Sequence, residues 1–280
     1  MFHGVTPGTE KTLLLMGIVN LTCDSFSGGG FMSAESAVEH ALELLNDGAD
    51  MLDIGAESTR PGSTEIPADE EIKRLTPVVS ALLTKHPDLL ISVDTRHSRT
   101  AEEMLKLGVK IINDVSALRF DPGMKEVLQK YPQSQVILCH SRGTPENMTD
   151  SRFSDYGESV VKTICNELLD IAEHSGIAID RFIFDPGFGF AKTPEQQLQM
   201  MHDAAIFTRT LGKVLFGISR KSFIGKATGE DDPVRRSGST LAGELHLASC
   251  GAAILRTHDV KQLCDALTFL NKIQEVKTCC

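Results

Sequence analysis

The chain has 280 residues, of which 41% are hydrophobic, and it carries a formal net charge of −10. This length and composition suffice for one substantial core, so we expect a single domain over residues 1–280. The acidic balance argues against a nucleic-acid surface, which needs a basic face. There is no run of about 18 apolar residues, no signal-peptide pattern and no cysteine spacing typical of metal or disulfide sites. The sequence therefore predicts a cytoplasmic protein without a membrane partner.

Eight short apolar runs follow one another along the chain, and nearly all end in a polar or charged residue. Their continuous hydrophobicity is typical of parallel strands that are buried on both faces. The runs cover residues 13–20, 51–54, 89–94, 111–115, 136–140, 182–185, 214–219 and 253–258.

Amphipathic stretches with helix-capping signals separate the runs. Ser33 precedes an apolar period of 3.6 residues that Gly48 can end, and residues 193–196 (TPEQ) form a capping box with proline in the first turn. Further helices are predicted over residues 68–85, 100–107, 123–130, 156–174, 237–249 and 260–276.

A strand-then-helix unit repeated eight times favours an α/β fold, a closed (β/α)8 TIM barrel with its chemistry at the C-terminal ends of the strands. A doubly wound open sheet is the alternative, but NLTCDSFSGGGF after the first strand lacks the G-x-G-x-x-G turn of that fold. The connections after strands 1 and 2 are long and polar. We expect them to be mobile loops that act as lids or substrate clamps.

Three amide or acid side chains, Asp94, Asn113 and Asp185, end or nearly end three strands. The alternative for each alone is a strand cap, but together they offer hydrogen-bond donors and acceptors suited to a flat heterocycle. Asp185 also opens the sequence DPGFGF, in which Phe188 and Phe190 supply apolar walls.

Basic residues follow the last two strands. The motif SRKS at residues 219–222 follows strand 7, while Arg256 and His258 are two apart in strand 8 and face the same side. Phosphate groups often bind at the loops after strands 7 and 8 of this fold. We therefore interpret these residues as an anion site, with surface salt bridges as the alternative.

A tight zinc site is not indicated, because neither H-E-x-x-H nor paired C-x-x-C occurs. Asn20, at the end of strand 1, can donate a carbonyl oxygen to a magnesium ion that is otherwise held by water and phosphates. We interpret His140, at another strand end, as a structural residue.

Eight ordered motifs resemble those of the dihydropteroate synthase family, and the resemblance spans almost the whole chain. They are MGIVNLTCDSFSGGG, DIGAESTRPGS, SVDTR, IINDVSAL, CHSRGTPENM, DPGFGFAKT, FGISRKSFIG and RTHDV. The resemblance implies a (β/α)8 barrel, usually dimeric, that joins 6-hydroxymethyl-7,8-dihydropterin diphosphate to 4-aminobenzoate and releases diphosphate.

The resemblance also implies a role for each matching residue. The pterin would lie against Asp94, Asn113, Cys139, Asp185 and Lys221. The diphosphate would meet Asn20, Arg256 and His258, with Mg²⁺ bound at Asn20. The 4-aminobenzoate pocket would be formed by Phe26, Thr59, Arg60, Pro61, Phe190 and Ser222. Asp94, Lys221 and Arg60 are the predicted catalytic residues, and a homodimer is expected.

In the implied mechanism the C–O bond to diphosphate breaks first, and Asp94, ionised at neutral pH, stabilises the pterin methylene cation. The chain departs from the family pattern in its first loop, at Cys23 and Gly28, and at Ala191, where a glycine is usual. Two alternatives stay open: a folate-dependent methyltransferase of the same barrel family, and a non-catalytic pterin-binding paralogue.

Overall fold

A computed structural model describes residues 13–22, 33–57, 65–143, 147 and 150–276. Within these ranges the strands form one sheet of eight, with the order β6-β5-β4-β3-β2-β1-β8-β7. The strands are β1 (Leu14–Asn20), β2 (Met51–Gly55), β3 (Leu90–Asp94), β4 (Ile111–Asp114), β5 (Gln135–Cys139), β6 (Phe182–Asp185), β7 (Leu215–Phe216) and β8 (Ile254–Thr257).

Helices connect the strands and cover the outside of the sheet. They are α1 (Ala34–Asn46), α2 (Ala68–Lys85), α3 (Ser98–Leu107), α4 (Gly123–Lys130), α5 (Val160–Glu173), α6 (Pro194–His202), α7 (Ala204–Leu211), α8 (Ser222–Thr228), α9 (Ser237–Ser249) and α10 (Val260–Glu275). None of these helices is long and apolar enough to cross a membrane.

All strand pairs of the described sheet are parallel. The two end strands, β6 and β7, meet through a parallel bridge between Phe184 and Val214, so the sheet closes on itself. The Phe184 amide donates to the Lys213 carbonyl at 2.9 Å across the same seam. The predicted TIM barrel is therefore confirmed.

Two separate apolar clusters stabilise the barrel. The larger packs the outward side chains of the strands against the helices. The smaller fills the lower part of the barrel interior and consists of Met16, Met51, Ile111, Ile137, Ile183, Leu215 and Ile254. Because side chains alternate along a strand, residues two and four positions further along point into the upper part of the same interior.

The capping signals form as predicted. Ser33 Oγ accepts from the Ser36 amide at 3.2 Å, and Gly48, just beyond α1, has a φ of 104°. Thr193 and Gln196 make both bonds of the capping box at the start of α6. These local signals fix where two of the helices begin and how one of them ends.

The structure differs from the predicted elements around strand 7. The predicted run 214–219 is a strand only at Leu215–Phe216, because the chain turns after Ile218 and Arg220 has a φ of 57°. The short helices α7 and α8 were not predicted. Both predicted long loops fall largely on residues 23–32 and 58–64, outside the described residues.

Candidate active site

One row of residues crosses four strands at the upper end of the barrel. The register places Asn20 beside Gly55, Gly55 beside Asp94, and Asp94 beside Asn113. Cys139 and Asp185 are paired in the same way on β5 and β6. Most of the inward residues above the apolar cluster are polar, and the structure brings the predicted ring-binding residues together at the mouth of the barrel.

Asp53, on β2, occupies the centre of this polar layer and is fully buried. Its Oδ2 accepts from Arg256 Nε at 2.6 Å and from Asn113 Nδ2 at 3.1 Å. Asp53 was not among the predicted site residues. The available signal was a charged residue inside an otherwise apolar strand, where burial requires a partner.

Asp94 lies on the other side of Arg256, with 3.6 Å between Oδ2 and Arg256 Nη2. Gly55 makes room for it, since a Cβ on Gly55 would lie 3.3 Å from the Cβ of Asp94. Burial, and next the charge of Asp53, raise the pKa of Asp94 well above its usual value, while Arg256 opposes the shift. The usual value for an exposed carboxyl therefore does not describe Asp94 in the free site, because burial favours the neutral acid.

Asp185 and Cys139 form the floor of the mouth beside β6. Burial raises the pKa of Asp185, and Lys221 is the strongest opposing charge. One carboxylate oxygen of Asp185 accepts from the Gly187 amide at 2.7 Å, which fixes the carboxyl at the start of the DPGFGF segment. Burial also raises the pKa of the Cys139 thiol, so this side chain is a neutral, soft surface.

Lys221, the N-cap of α8, reaches back to the DPGFGF segment. Its Nζ donates to the Phe188 carbonyl and lies 5.2 Å from the centre of the Phe190 ring. Burial lowers its pKa, and Asp185 opposes that shift. Gly189, with a φ of 88°, lets the backbone pass close to the Lys221 stem.

Lys192 also contacts the DPGFGF segment, and it was not among the predicted site residues. Its Nζ donates to the carbonyls of Gly187 at 2.8 Å and Phe190 at 3.0 Å, and it lies 3.1 Å from His140 Nδ1. Burial lowers the pKa of Lys192 to about 7. Gly187 is needed because a Cβ there would lie 1.8 Å from the His140 carbonyl oxygen.

His140 is fully buried, and both ring nitrogens have partners. Its Nε2 lies 2.8 Å from Glu167 Oε2 on α5, opposite the Lys192 contact at Nδ1. Burial, reinforced by Lys192, lowers the pKa of His140 to about 3, so the ring is neutral. Its position agrees with the structural interpretation.

The residues of the predicted anion site lie on β8 and on the turn after β7. His258 Nδ1 lies 2.9 Å from Ser219 Oγ, and the His258 amide donates to the same oxygen at 3.1 Å. Arg220 instead turns outward and pairs with Asp259, with 3.2 Å between Nε and Oδ2. Of the basic residues first grouped as an anion site, Arg256 and His258 point inward, while Arg220 does not.

The predicted aminobenzoate residues divide into two groups. Phe26, Thr59, Arg60 and Pro61 lie outside the described residues. Phe190 is partly exposed, and Ser222, in the first turn of α8, lines a cavity of about 250 Å³ together with Gly189, Lys192 and Gln197. Ala191 has a φ of 50°, which explains why glycine is usual there.

The second long loop is anchored at both of its described ends. Arg96 Nη2 lies 2.6 Å from Glu57 Oε1 and 3.6 Å from Glu65 Oε2, on either side of residues 58–64. The guanidinium also lies 4.0 Å from the centre of the Phe120 ring. Arg96 was not predicted, because its two partners come together only in the folded chain.

Few side chains in the described part of the chain can bind a metal ion. The described residues contain no group of three or more His, Cys, Asp or Glu that could hold one. Asn20 ends β1 on the inward side, two residues after Ile18, in the row that leads to Asp94. A single amide oxygen fits Mg²⁺, which keeps several waters and takes phosphate oxygens as ligands, and does not fit zinc.

Comparison with known proteins gives a consistent result. Residues 16–258 match the model of a family described as pterin binding enzyme. A dihydropteroate synthase from Neisseria meningitidis serogroup C is 41% identical over 90% of this chain and 90% of its own length. A bifunctional folate synthesis protein of Pisum sativum is 39% identical over 99% of this chain, which spans only 56% of that longer protein.

A solved structure extends the likeness to the fold. The dihydropteroate synthase of Xanthomonas albilineans, determined with 4-aminobenzoic acid, superposes with a TM-score of 0.84 at 38% identity and covers 94% of each chain. The similarity therefore includes the strands and turns that form the mouth described above.

Proposed function

Because this chain belongs to the dihydropteroate synthases of the pterin-binding enzyme family, we propose a specific division of its barrel mouth between two substrates. The enzyme is a transferase of folate synthesis. It joins 6-hydroxymethyl-7,8-dihydropterin diphosphate to 4-aminobenzoate, giving 7,8-dihydropteroate and diphosphate. One observation carries the proposal: Asp94, Asn113 and Asp185 share the mouth of the barrel with Arg256.

The pterin half consists of Asn113, Asp185 and Lys221, with Cys139 as its floor. Asn113 is directed by its bond to Asp53 at 3.1 Å, and its Oδ1 has no partner among the described residues. Asp185 accepts from the Gly187 amide through one carboxylate oxygen. We propose that Asn113 Oδ1 and Asp185 bind ring N–H and amino groups, because a buried acceptor without a partner costs about 1–3 kcal/mol until a ligand satisfies it.

The anion half consists of Arg256, His258 and Asn20. Arg256 is already oriented by Asp53, and a guanidinium has five N–H donors, so the Nε bond does not exhaust its capacity. His258 is oriented by Ser219. Groups that are fixed before the reaction stabilise developing charge without reorganisation, and we propose that they hold the departing diphosphate.

We propose Mg²⁺ as a cofactor, with Asn20 as the protein ligand. When bound, the ion would neutralise charge on the diphosphate. Asn20, at the end of β1, would hold the ion, and the protein's own cations would hold the remaining phosphate charge.

Asp94 is proposed to stabilise the pterin methylene cation after the C–O bond breaks. Burial and Asp53 favour its protonated form in the free site, whereas Arg256 favours the ionised form. Positive charge that develops on the neighbouring pterin adds to the effect of Arg256. The carboxyl therefore ionises most readily when the cation forms, which is when its charge is useful.

The arylamine is proposed to lie between Phe190 and Ser222, with Phe26, Thr59, Arg60 and Pro61 contributing from the two long loops. Lys221 and Lys192 fix the Phe190 segment by their bonds to the carbonyls of Phe188 and Phe190. A fixed ring wall binds a flat arylamine at a smaller entropic cost than a mobile one.

We also propose a cytoplasmic homodimer. Cys139, Cys165, Cys250 and Cys264 are free thiols, which suits a reducing compartment. Phe269, Ile273 and Val276 are spaced four and three residues apart at the end of α10 and are exposed, so they form an apolar stripe that a second copy can cover. Analytical ultracentrifugation of the wild type and of Phe269→Lys tests this: a shift toward monomer in the variant supports the dimer, and a monomeric wild type contradicts it.

The reaction is tested by supplying the purified chain with the pterin diphosphate, 4-aminobenzoate and Mg²⁺. We expect diphosphate and dihydropteroate to appear together, and only when both substrates are present. An exposed acid on α10 provides the control variant, Asp265→Asn, which should keep the wild-type rate. Pterin binding without diphosphate release would instead support the non-catalytic paralogue, and methyl transfer from a reduced folate would support the methyltransferase.

A further inference from the structure

The amino group of Lys192 is surrounded by hydrogen-bond acceptors, and the residue is only 9% exposed. Its Nζ lies 2.8 Å from the Gly187 carbonyl oxygen, 3.0 Å from the Phe190 carbonyl oxygen and 3.1 Å from His140 Nδ1. A fourth acceptor, the His140 carbonyl, lies further away at 3.4 Å. An ammonium has three hydrogens, and the three nearest acceptors use all of them. Any effect of Lys192 on substrate binding must therefore pass through the segment that it holds.

The tautomer of His140 decides whether Lys192 can make its third bond. His140 Nε2 lies 2.8 Å from Glu167 Oε2, on α5. Burial opposes ionisation of Glu167, but hydrogen bonds with His140 and Arg142 outweigh it and lower the pKa of Glu167 to about 2. An ionised carboxylate only accepts, so the neutral His140 ring carries its hydrogen at Nε2. Its Nδ1 is then an acceptor for Lys192.

Arg142, in the connection after β5, fixes the Glu167 carboxylate from its other side. Its Nη2 donates to Oε1, and its Nε donates to Oε2 at 3.3 Å. The guanidinium also donates to the Asp155 carbonyl at 2.5 Å and lies 4.0 Å from the centre of the Tyr156 ring. Every step from α5 to the Phe190 segment is thus a direct hydrogen bond.

The segment that Lys192 holds is a tight turn at the wall of the proposed arylamine site. The Phe190 amide donates to the Gly187 carbonyl at 3.2 Å, and Lys192 bonds the carbonyls of both residues. The Tyr156 hydroxyl donates to the Ala191 carbonyl at 3.3 Å. These bonds restrict the backbone on both sides of the Phe190 ring, so the ring is held in place before the arylamine binds.

We propose that Glu167, His140 and Lys192 form a buried chain of positioning residues for the arylamine site. Glu167 holds His140 as the Nε2–H tautomer, and Nδ1 of that tautomer accepts the third hydrogen of Lys192. Lys192 in turn holds the turn that carries the Phe190 ring. The inference rests on the proposed function, in which this ring binds 4-aminobenzoate. The proposed diphosphate residues lie on other strands, so diphosphate binding should not depend on the chain.

The first measurement is the tautomer of His140 in the full chain, from the nitrogen chemical shifts of ¹⁵N-labelled histidine. The signals of His140 are those that His140→Gln lacks. Burial lowers the pKa of Lys192 to about 7, so spectra and kinetics are recorded below pH 7, where the ammonium predominates. We expect the Nε2–H tautomer in the wild type, and a wild-type ring with its hydrogen at Nδ1 would overturn the proposal.

Glu167→Gln tests the first step of the chain. Arg142 bonds both carboxylate oxygens of Glu167, and in the variant the single amide oxygen is the one acceptor left for it. The amide nitrogen then faces His140 Nε2 and donates to it, so we expect the Nδ1–H tautomer to appear. A ring that keeps only the Nε2–H tautomer in this variant would overturn the role of Glu167.

The second measurement is KM for each substrate. Lys192→Met removes the ammonium, and Glu167→Gln removes the acceptor for its third hydrogen. In both variants we expect KM for 4-aminobenzoate to rise about two- to tenfold, the loss typical of one side chain that binding must order. KM for the pterin diphosphate, kcat and the affinity for inorganic diphosphate should stay near their wild-type values. Absence of this selective rise in either folded variant would overturn the proposal.

Two comparisons separate positioning from packing. Leu168→Val trims a fully buried side chain next to Glu167 on α5, and it should lower stability without changing the tautomer or KM. If Lys192→Met does not fold, Glu167→Gln decides, since the side chain of Glu167 is 32% exposed. A wild type that forms no dihydropteroate would contradict the proposed function, whereas normal turnover with unchanged KM in the variants contradicts only the positioning chain.

Discussion

Arg256 Nε donates to Asp53 Oδ2 at 2.6 Å across the barrel interior, and the two residues come from β8 and β2, on either side of β1. Asp53 is fully buried, whereas the Arg256 side chain is 20% exposed and reaches the mouth. The ion pair therefore sits between the apolar lower barrel and the substrate site. It fixes the guanidinium in the direction that both Asp94 and the proposed diphosphate require.

Asp53→Ala should reduce the free energy of unfolding, because it leaves the Arg256 guanidinium and the Asn113 amide without their shared acceptor. Removing one partner of a buried pair costs about 3 kcal/mol or more. Urea denaturation measures this loss. The exposed pair of Asp265 with Lys261 gives the control, since Asp265→Ala should cost no more than about 1 kcal/mol. Equal, small losses in both variants would show that the buried pair stabilises the fold no more than the exposed pair does.

Asp94→Asn should lower kcat by about a hundredfold, because a preorganised group aimed at developing charge contributes roughly 3–4 kcal/mol. The wild type should also lose kcat/KM as the pH falls through the pKa of Asp94, which burial and Asp53 place above its usual value. Steady-state kinetics across pH will show this acidic limb in the wild type and not in the variant. Near-normal turnover in Asp94→Asn would remove Asp94 from the mechanism.

His140 should make the folded state sensitive to acid. Its pKa falls from 6.5 to about 3 on folding, so between these values the unfolded chain binds one more proton than the folded chain. Stability is therefore fully present above pH 6.5 and decreases as the pH falls, by up to about 1.4 kcal/mol per pH unit. Glu167, whose pKa is lowered to about 2, adds to the loss only below its ordinary value of 4.5.

Urea denaturation between pH 7 and pH 5 isolates the contribution of His140. His140→Gln cannot titrate, so its free energy of unfolding should change less over this range than that of the wild type. His140→Gln also lowers the absolute stability, because it changes the contacts with Glu167 and Lys192. The comparison therefore uses the slope of the free energy of unfolding against pH. Parallel slopes for the two proteins would contradict a neutral, buried His140.

Ala191→Gly should leave stability unchanged or raise it by up to about 1 kcal/mol, because glycine adopts the φ of 50° at residue 191 without steric strain. Ala172→Gly, within α5, is the matched control and should destabilise by at least about 0.5–1 kcal/mol. Thermal denaturation compares the two. A loss at residue 191 as large as that at residue 172 would show that the left-handed backbone there carries no strain.

Sequence patterns predicted most of the barrel, for reasons that the structure makes clear. Strands buried on both faces leave nearly continuous apolar runs, and the capping residues Ser33 and Thr193 act within a few residues of themselves. The seventh strand was predicted too long because its end depends on the turn at Arg220, whose left-handed φ has no sequence signal. The short helix α8 begins inside the SRKS motif and has too few turns to show a period.

Residues of the candidate site that end apolar strands were predicted from the sequence. Residues whose roles depend on contacts distant in sequence were not. Asp94, Asn113 and Asp185 were found because polar residues end apolar runs. Asp53 lies inside such a run, and its role depends on Arg256, 203 residues away. Lys192 and Arg96 were overlooked for the same reason, since only the folded chain shows which carbonyls and carboxylates they hold.

The division of the mouth into a pterin half and an anion half is tested most directly by equilibrium binding to two single variants. The two probes are the pterin without its diphosphate and inorganic diphosphate. Asp185→Asn should weaken pterin binding about tenfold or more, the loss expected of a hydrogen bond to a charged group, and leave diphosphate binding unchanged. His258→Asn should do the reverse. If both variants weaken both probes to the same extent, the mouth is not divided in this way.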